Sequence, residues 1–505
     1  LVFLASRYHH ILAACDRIRL KCNCDACCQP TYCMTMAHMC GLRLLICLDL
    51  ALGLKLGEPF LGQGTVIQQD VATLLWGTSS DTEVRITLDG IKIASAGVAG
   101  DGSWSATVPP QSAAFNRTLV VADTSGQQRQ IVSFGLVLLC AGQSNMDMTV
   151  NADFHADNGT AECAASGRYS GGISLKNLAG RGNLGANQTR RWFGLTPYTL
   201  RYFSAVCWYT GKALYDHHEG KVPIGLIQGE CGGTPIEKFV TMRSVAICNA
   251  SGSPGLKDQF FYDRIVGDLS PYNVGAILWD QAEADVTPMC PHVDVYPCLE
   301  QELVRTWRRA LGDMRPPFVA VQLPGYTGAV SPLSSVFEMR LAQEAGLKNV
   351  DATALLPTYD LSCPHCPQGS VHNTDKVAVG ARAALQFRRL LYGEGLQAEG
   401  PRVMQAVARQ AAEGGFEVSV TFSELHGSLF FAGTRNCTEC CKAPGADFDV
   451  SSDGRAWVNG TGAEIVDETT VRFMADISSR PKLLRYTASI DFPQCALYDK
   501  SKLPA

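Results

Sequence analysis

An apolar run that ends abruptly in Gly-Gln-Ser-Asn constrains the fold of this chain more than any other stretch. Leu136–Cys140 is apolar over the length of one strand, and Gly142, Gln143 and Ser144 follow almost at once. Strands buried on both faces of a parallel sheet read as continuous apolar runs, and open α/β sheets place their sites at strand carboxyl ends. The sequence therefore predicts Ser144 at the mouth of a crevice, with Gly142 small enough for a substrate to come close to the backbone.

Similar apolar runs recur between residues 131 and 395, with helical patterning between some of them. They are Pro223–Ile227, Val274–Trp279, Phe318–Gln322 and Ala352–Leu356. Leu299, Leu303 and Trp307 repeat at helical spacing, and residues 374–392 predict a closing amphipathic helix that Gly393 ends. Strands that alternate with helices predict an α/β fold, with a parallel sheet covered by helices on both faces.

The segments on either side of this region have β patterning. Glu83–Leu88 alternates with period two before the hairpin signal Asp89-Gly90, and Phe416–Phe422 alternates in the same way. We therefore predict β-sandwich-like domains that flank the parallel sheet. The predicted division is residues 1–56 as a leader, signal-like or artefactual segment, 57–130 as an N-terminal β domain, 131–395 as the α/β domain and 396–505 as a C-terminal β domain.

Composition narrows the class of protein. The 505 residues carry a net charge of −5 without a long Lys/Arg run, which argues against a nucleic-acid partner. Twenty-one cysteines and six glycosylation sequons favour the secretory route and some disulfide bonds. The sequons lie at Asn116, Asn158, Asn187, Asn249, Asn436 and Asn459.

The amino-terminal stretch resembles a signal peptide rather than a membrane anchor. The signal peptide would start at Met36 or Met39, with Arg43 before a short apolar segment that Asp49 interrupts. The segment is too short to span a bilayer comfortably, so we expect no integral membrane segment. The cysteines between Cys22 and Cys33 lack the histidine spacing of a zinc site, and we predict no metal there.

Residues suited to acyl transfer follow four of the predicted strands. A serine hydroxyl becomes a nucleophile when a base takes its proton, and histidine has a pKa suited to that task near neutrality. An oxyanion then needs fixed donors, such as backbone N–H groups or a side-chain amide. In chain order these residues are Ser144, Gly233, Gln281 with Glu283, and Asp360 followed by His372. Together they predict transfer of an acyl group from an ester to water.

Some of these residues have alternative interpretations when each is taken alone. His372 could cap the helix that follows it, and Gly232-Gly233 is usually a turn. The pair Cys363 and Cys366, in Cys-Pro-His-Cys, has the spacing of thiol–disulfide oxidoreductases. No helix pattern starts at this pair, so a structural disulfide or free thiols are better supported than redox catalysis.

Several blocks taken in order resemble the sialate O-acetylesterases, a family of SGNH-type carbohydrate esterases. The blocks are Ala141–Met146, Ser204–Trp208, Gly232–Glu237, Leu278–Glu283 and Gly369–His372. The resemblance implies an SGNH-hydrolase-like fold, hydrolysis of O-acetyl groups, notably 9-O-acetyl, from sialic acids, and no metal or organic cofactor. It also implies a secreted or lysosomal address and an O-acetylated sialic acid or sialoglycan as substrate.

The resemblance carries the nucleophile to Ser144 and the base to His372. It places Gly233 and Gln281, with Gln143 and Asn145, along the oxyanion and substrate site. The third triad member does not carry over, because Gly369 stands three residues before His372, where many relatives have Asp. The candidates are Asp360 and Glu283, and a Ser–His dyad oriented by a backbone carbonyl is the third possibility.

Two departures from the family pattern bear on activity. Ala282 stands where the family has Gly and adds a Cβ beside the expected site, and Asp285 stands where Asn is usual and could add negative charge. They are the reason to consider a catalytically silent glycan-binding protein as an alternative. The other alternative is an acetyl esterase of the same chemistry that acts on another acetylated polysaccharide.

Overall fold

The computed structural model describes nine stretches of the chain. They are residues 53–153, 167–178, 190–250, 259–287, 293–312, 315–327, 335–432, 447–488 and 496–505. Most of the predicted leader therefore lies outside the described residues. Its last two residues, Lys55–Leu56, form strand β1 and pair with Gly77 and Thr78, so the segment contributes a strand to the amino-terminal β region.

The amino-terminal region is built of β-strands, as its patterning predicted. The strands that follow β1 are β2 (Thr65–Gln68), β3 (Thr73–Thr78), β4 (Glu83–Leu88), β5 (Ile91–Gly97), β6 (Ser103–Val108), β7 (Ala114–Asp123) and β8 (Gly126–Gly142). The predicted hairpin joins β4 to β5. Its two turn residues, Asp89 and Gly90, have φ of 49° and 84°, the left-handed values that a tight hairpin turn requires.

Strand β8 belongs to both the amino-terminal β region and the parallel sheet. Its first half pairs antiparallel with β7, and from Leu136 onward it pairs with parallel neighbours. The two regions therefore share one eleven-stranded sheet. The boundary predicted between residues 130 and 131 falls within this strand, and the division into domains stays a prediction.

The parallel part of the sheet has β8 at its centre. The later strands are β9 (Ile173–Asn177), β10 (Trp192–Gly194), β11 (Ile224–Glu230), β12 (Ala276–Asp280), β13 (Phe318–Val321) and β14 (Thr353–Leu356). Their spatial order is β10-β9-β11-β8-β12-β13-β14, with only the edge strand β10 antiparallel to its neighbour. The predicted parallel sheet is confirmed.

Helices cover both faces of this sheet, as predicted. The helices are α1 (Ser144–Asp147), α2 (Pro197–Arg201), α3 (Ala205–His217), α4 (Met242–Ile247), α5 (Tyr296–Ala310), α6 (Val336–Leu347) and α7 (Lys376–Tyr392). Val137 and Leu139 of β8 pack into one core with α5 and α6, and Leu138 and Cys140 pack into a second core with α3 and α7. The continuous apolar run follows from this arrangement, because alternate side chains enter different cores.

The carboxyl-terminal region is again built of β-strands. Its strands are β15 (Arg402–Gln410), β16 (Phe416–Ser423), β17 (Phe430–Phe431), β18 (Phe448–Ser451), β19 (Val458–Asn459), β20 (Thr461–Ile465), β21 (Thr470–Ala475), β22 (Leu483–Tyr486) and β23 (Leu497–Tyr498). β16 alternates buried and half-buried residues as its pattern predicted, and Val418, Val420 and Phe422 enter a third core.

Three disulfide bonds join described cysteines. Cys140–Cys207 ties β8 to α3, and Cys248–Cys298 ties the end of α4 to α5. Cys363–Cys366 closes a short loop, in agreement with the structural disulfide considered for this pair. Within the described stretches, no helix is both long enough and apolar enough to cross a membrane.

Candidate active site

The carboxyl ends of three adjacent parallel strands bring the candidate residues to one edge of the sheet. Gly142, the last residue of β8, lies in register with Glu230 of β11 and with Asp280 of β12. The segments that leave these strands stay in contact. The backbone N–H of Cys231 donates to Gly142 O at 3.0 Å, and that of Gln143 donates to Asp280 O at 2.9 Å. Ser144, the Gly232-Gly233 turn and Gln281 therefore start from neighbouring points, as expected for a strand-end site.

Gly142 makes the turn into Ser144 possible. Its φ is +144°, and a Cβ at this position would lie 2.0 Å from the carbonyl oxygen of Asp280. The close contact at this glycine is thus with the backbone of the neighbouring strand, and the predicted approach of a substrate stays a prediction. Ser144 follows two residues later as the first residue of α1 and is half-buried.

Two backbone N–H groups in the segments that leave these strand ends are available as donors. Within the described part of the chain, the N–H groups of Ser144 and Gly233 have no acceptor. Gly233 is exposed and has φ of +68°, a conformation that favours glycine. Pre-positioned donors of this type are what a developing oxyanion needs.

The loop that carries His372 is fixed by its own backbone and by a disulfide bond. His372 Nδ1 lies 2.8 Å from the carbonyl oxygen of Gln368, and the His372 N–H donates to Gly369 O at 3.0 Å. The N–H of Gly369 in turn donates to Cys366 O at 3.0 Å, beside the Cys363–Cys366 bond. Because a carbonyl only accepts, Nδ1 carries the proton in the neutral ring and Nε2 is left to accept one.

Asp375, and not His372, caps the helix that follows. The Asp375 side chain accepts from the N–H of Ala378 at 3.1 Å at the start of α7. A side chain that accepts from the backbone in this way is a helix N-cap. The His372 ring is therefore free of the capping role that was the alternative to its predicted function.

Asn145 connects the serine segment to the histidine segment. Its Nδ2 donates to the carbonyl oxygen of Val371 at 2.9 Å and to Glu283, and its Oδ1 accepts from Lys376 Nζ at 2.8 Å. Val371 immediately precedes His372, so segments that are 226 residues apart in sequence are held together by one buried amide. No hydrogen bond between the described side chains joins Ser144 to His372 directly. In enzymes without substrate such catalytic contacts are often long.

The two candidates for the third triad position are engaged elsewhere. Asp360 accepts from Arg382 at 2.8 and 2.6 Å and from the Tyr498 hydroxyl at 2.7 Å. Glu283 accepts from Asn145, and burial raises the pKa of its carboxyl. Among the described contacts of His372, the Gln368 carbonyl is the partner of Nδ1. This geometry supports the third possibility, a dyad oriented by a backbone carbonyl.

Two ionisable residues that were not given a role from the sequence are buried next to the candidate residues. Asp280 is 3% exposed, and burial raises its pKa to about 7, opposed by the charges of Lys376 and His372. Lys376 is 1% exposed, and burial lowers its pKa. The position of Asp280 at the end of an apolar strand was a usable signal in the sequence. Lys376, the first residue of α7, carries no such signal.

Gln143 and Gln281 connect the strand-end segments that carry the candidate residues. Gln281 Nε2 donates to Gln143 Oε1 and to Thr234 O, each at 3.1 Å, and Gln281 Oε1 accepts from Tyr296 at 3.1 Å. Gln143 Oε1 also accepts from the N–H of Ala284 at 3.1 Å. Both glutamines are buried, and these bonds tie the three strand-end segments to one another. Their role along the oxyanion and substrate site stays a prediction.

The two departures from the family pattern have different structural consequences. Ala282 is fully buried at φ of +125°, a conformation that favours glycine. Asp285 is also fully buried, and burial together with Glu237 raises the pKa of its carboxyl well above its usual range. The Asp285 side chain also accepts from the N–H of Ile236, so it is held within the strand-end segments, and the expectation that it adds negative charge beside the substrate stays a prediction.

Comparison with known proteins agrees with the geometry of the site. The sequence model of the family described as "Carbohydrate esterase, sialic acid-specific acetylesterase" matches residues 135–388. The sialate O-acetylesterase of Homo sapiens is 31% identical over 301 residues, which cover 54% of this chain and 56% of the relative. That of Mus musculus is 28% identical over 325 residues, 54% of this chain and 59% of the relative. The matched part of this chain thus spans a little over half the length of these relatives.

A solved structure with a similar fold covers more of the chain. It is a carbohydrate acetylesterase from Xanthomonas citri, with a TM-score of 0.72 and 25% sequence identity. The similarity covers 89% of this chain and 98% of that protein. It therefore includes the β regions on both sides of the parallel sheet, and it confirms the predicted α/β fold class of an SGNH-like esterase.

Proposed function

Because this chain belongs to the carbohydrate esterase family of sialic acid-specific acetylesterases, we propose that it is a serine esterase that removes O-acetyl groups, notably 9-O-acetyl, from sialic acids. One observation carries the proposal. The Asn145 amide joins the segment of Ser144 to that of His372, at a strand edge where two backbone N–H groups are available. This is the set of groups that ester hydrolysis through an acyl-enzyme requires.

The reaction starts with attack of Ser144 Oγ on the acetyl carbonyl carbon. His372 Nε2 accepts the hydroxyl proton as the C–O bond forms, and the N–H groups of Ser144 and Gly233 stabilise the oxyanion. The protonated His372 then donates its proton to the sugar oxygen, and that C–O bond breaks. Water, deprotonated by His372, attacks the acetyl-serine, and acetate leaves with regeneration of the Ser144 hydroxyl.

The histidine works in this scheme without a hydrogen-bonded carboxylate. The Gln368 carbonyl accepts the Nδ1 proton at 2.8 Å and thereby fixes the tautomer in which Nε2 is the base. The carboxylate of Asp280, which interacts electrostatically with His372, stabilises the imidazolium that forms during the reaction. Asp360 and Glu283 act as structural residues in this proposal.

The substrate would be an O-acetylated sialic acid or sialoglycan met in the secretory pathway, outside the cell or in lysosomes. Three disulfide bonds fit an oxidising compartment. Three sequon asparagines fall within described stretches, and all of them are exposed, as attachment of a glycan requires. They are Asn116, Asn249 and Asn459.

A second candidate is an acetyl esterase for another carbohydrate. The observation in its favour is the similarity to the Xanthomonas citri carbohydrate acetylesterase, which covers 89% of this chain, whereas the match to the human sialate O-acetylesterase covers 54%. The same residues would perform the same chemistry, and only the groups that contact the sugar would differ.

Acetate release from two substrates tests both candidates. We expect the chain to release acetate from 9-O-acetylated sialic acid faster than from acetylated xylan, and the reverse order would favour the second candidate. Ser144→Ala should lower kcat by at least about 10⁴-fold, because the nucleophile is lost. Ser105→Ala, an exposed serine of β6, serves as the matched control and should leave kcat unchanged.

Two results would overturn the esterase proposal. Full acetate release by Ser144→Ala would show that another residue is the nucleophile. Glycan binding by the unaltered chain, without acetate release and without labelling by an organophosphate, would favour the catalytically silent glycan-binding protein.

A further inference from the structure

A buried lysine lies between the residues that support the serine and those that support the histidine. Lys376 starts α7, four residues after His372, and its side chain points inward with 1% of the residue exposed. Its Nζ donates to Asn145 Oδ1 at 2.8 Å, and its backbone N–H donates to Asp153 Oδ1 at 2.9 Å. A buried ammonium is costly to desolvate, so the surroundings must offset its charge.

We propose that Lys376 is a positioning residue for the esterase reaction, which fixes the Asn145 amide and offsets the buried carboxylates of Asp280 and Glu283. The inference rests on the proposed esterase function and extends it to a residue that does not touch the substrate. Two independent features of the structure support it.

The first feature is the direction of the hydrogen bonds at Asn145. An ammonium group only donates, so Lys376 can be satisfied only by the Oδ1 side of the amide. The Nδ2 side must then face Glu283 and the Val371 carbonyl, as observed. Without Lys376 the amide could rotate, and the bond that holds the segment of His372 would lose its donor.

The second feature is the set of charges around the lysine. The carboxylates that interact with Lys376 are those of Asp280, Glu283, Asp153 and Asp375. Asp280 in turn interacts with Lys376, Glu283 and His372. A nearby opposite charge lowers a carboxyl pKa by about 1–3 units, so loss of Lys376 would raise the pKa of Asp280 above its value of about 7. At neutral pH Asp280 would then be protonated, and the His372 imidazolium would lose its anionic neighbour.

Lys376→Met tests both features together. We expect kcat for acetate release to fall about 10²-fold, since a small misplacement of catalytic groups has an effect of that size, with KM changed little. The acid limb of the kcat–pH profile, where Asp280 must lose its proton to act as an anion, should move to higher pH by about one unit or more, because loss of the lysine charge raises the pKa of the Asp280 carboxyl. Lys376→Gln can still donate to Asn145 but lacks the charge, so it should move the acid limb with a smaller loss of activity. It also provides a second reading if the methionine variant does not fold.

Lys176→Met is the matched control. Lys176 is likewise buried, at 2% exposure in β9, but it donates to the Arg190 carbonyl and lies over the Trp192 ring. Its replacement should change thermal stability and leave both kcat and the pH profile unchanged.

The outcomes separate this inference from the proposed function. An unaltered chain that releases no acetate would overturn the esterase proposal itself. An active chain whose folded Lys376→Met and Lys376→Gln variants keep the same kcat and the same acid limb would overturn the role of Lys376 alone. A fall in activity that equals the loss of folded protein, with an unmoved acid limb, would also overturn it by showing a purely structural role.

Discussion

Replacement of Asp360 by asparagine separates a structural role from a catalytic one. Asp360 was one of the candidates for orienting His372, but in the structure it pairs with Arg382 through bonds of 2.8 and 2.6 Å and accepts from Tyr498 at 2.7 Å. The Asp360 and Arg382 side chains are 2% and 10% exposed, so water has little access to the Arg382 charge that would be left without its carboxylate. We therefore expect Asp360→Asn to affect stability and to leave the chemistry nearly intact.

The magnitude follows from the burial of the pair. Breaking a buried ion pair by removal of one partner costs about 3–5 kcal/mol, because the remaining charge is left uncompensated. Asparagine keeps one acceptor oxygen for Arg382, which places the expected loss near about 3 kcal/mol. For a unit of roughly 150–250 residues each kcal/mol moves Tm by about 2–4 °C, so Tm should fall by about 6–12 °C.

Thermal unfolding followed by circular dichroism measures the stability, and acetate release at 25 °C measures the activity of the folded protein. We expect the loss of Tm with activity lowered by less than about threefold, since Asp360 contributes nothing to the bond at His372 Nδ1. Asp449→Asn is the matched control, because Asp449 is a buried carboxylate that pairs with Arg485 at 2.9 Å in the carboxyl-terminal region. If Asp360→Asn instead lost activity by about a thousandfold or more with an unchanged Tm, this reasoning would be refuted and Asp360 would be the third triad member.

Three further predictions concern the strand ends. Gly142→Ala should destabilise the fold by about 3 kcal/mol or more and abolish acetate release, because the alanine Cβ would lie 2.0 Å from Asp280 O. A variant with nearly normal denaturant unfolding and nearly normal activity would contradict this prediction. Ala282→Gly should leave the free energy of unfolding unchanged or raise it by up to about 1 kcal/mol. Glycine relieves the backbone strain at φ of +125°, and this gain offsets the conformational entropy that glycine loses on folding. A clearly lower free energy of unfolding in denaturant would contradict this prediction. Burial raises the pKa of the Asp280 carboxyl from 3.8 to about 7, so the folded state holds this proton more tightly than the unfolded state does. The free energy of unfolding therefore falls as pH rises from 3.8 through 7. Asp280→Asn should therefore flatten the dependence of unfolding free energy on pH over that range, and an unchanged slope would count against it.

Much of the parallel sheet could be predicted because its signal is local. Continuous apolar runs marked β8, β11, β12, β13 and β14, since each is buried on both faces or nearly so. β9 (Ile173–Asn177) was not predicted, because Lys176 and Asn177 interrupt its apolar run. Both are nevertheless buried, and Lys176 is satisfied by a carbonyl from a neighbouring segment. Long-range pairing of this kind leaves no periodic pattern in the sequence.

The candidate site likewise contains residues that could be predicted from the sequence and contacts that could not. Ser144 and His372 could be proposed from residue type and order along the strand ends. The orientation of His372 depends on the backbone carbonyl of Gln368, and a backbone acceptor has no residue-type signature. Asp280 is marked in the sequence by its place at the end of an apolar strand, whereas Lys376 gains its importance only from burial beside that carboxyl, which the sequence does not express.

The turn into the serine combines two geometric constraints. Gly142 allows the close contact with β12, and Asn145 places its amide against the segment of His372. Both constraints act within three residues of Ser144. A substitution at either position is therefore expected to displace the nucleophile and to reduce activity, in addition to any effect on stability.

Labelling of the nucleophile tests the central claim most directly. The chain and its His372→Gln variant would each be treated with a fluorophosphonate, digested, and analysed by mass spectrometry for the modified peptide. The account predicts that the label is on Ser144 in the unaltered chain and that the labelling rate falls at least about 10²-fold when His372 is replaced. A label on another residue, or equal labelling of Ser144 in both proteins, would contradict it.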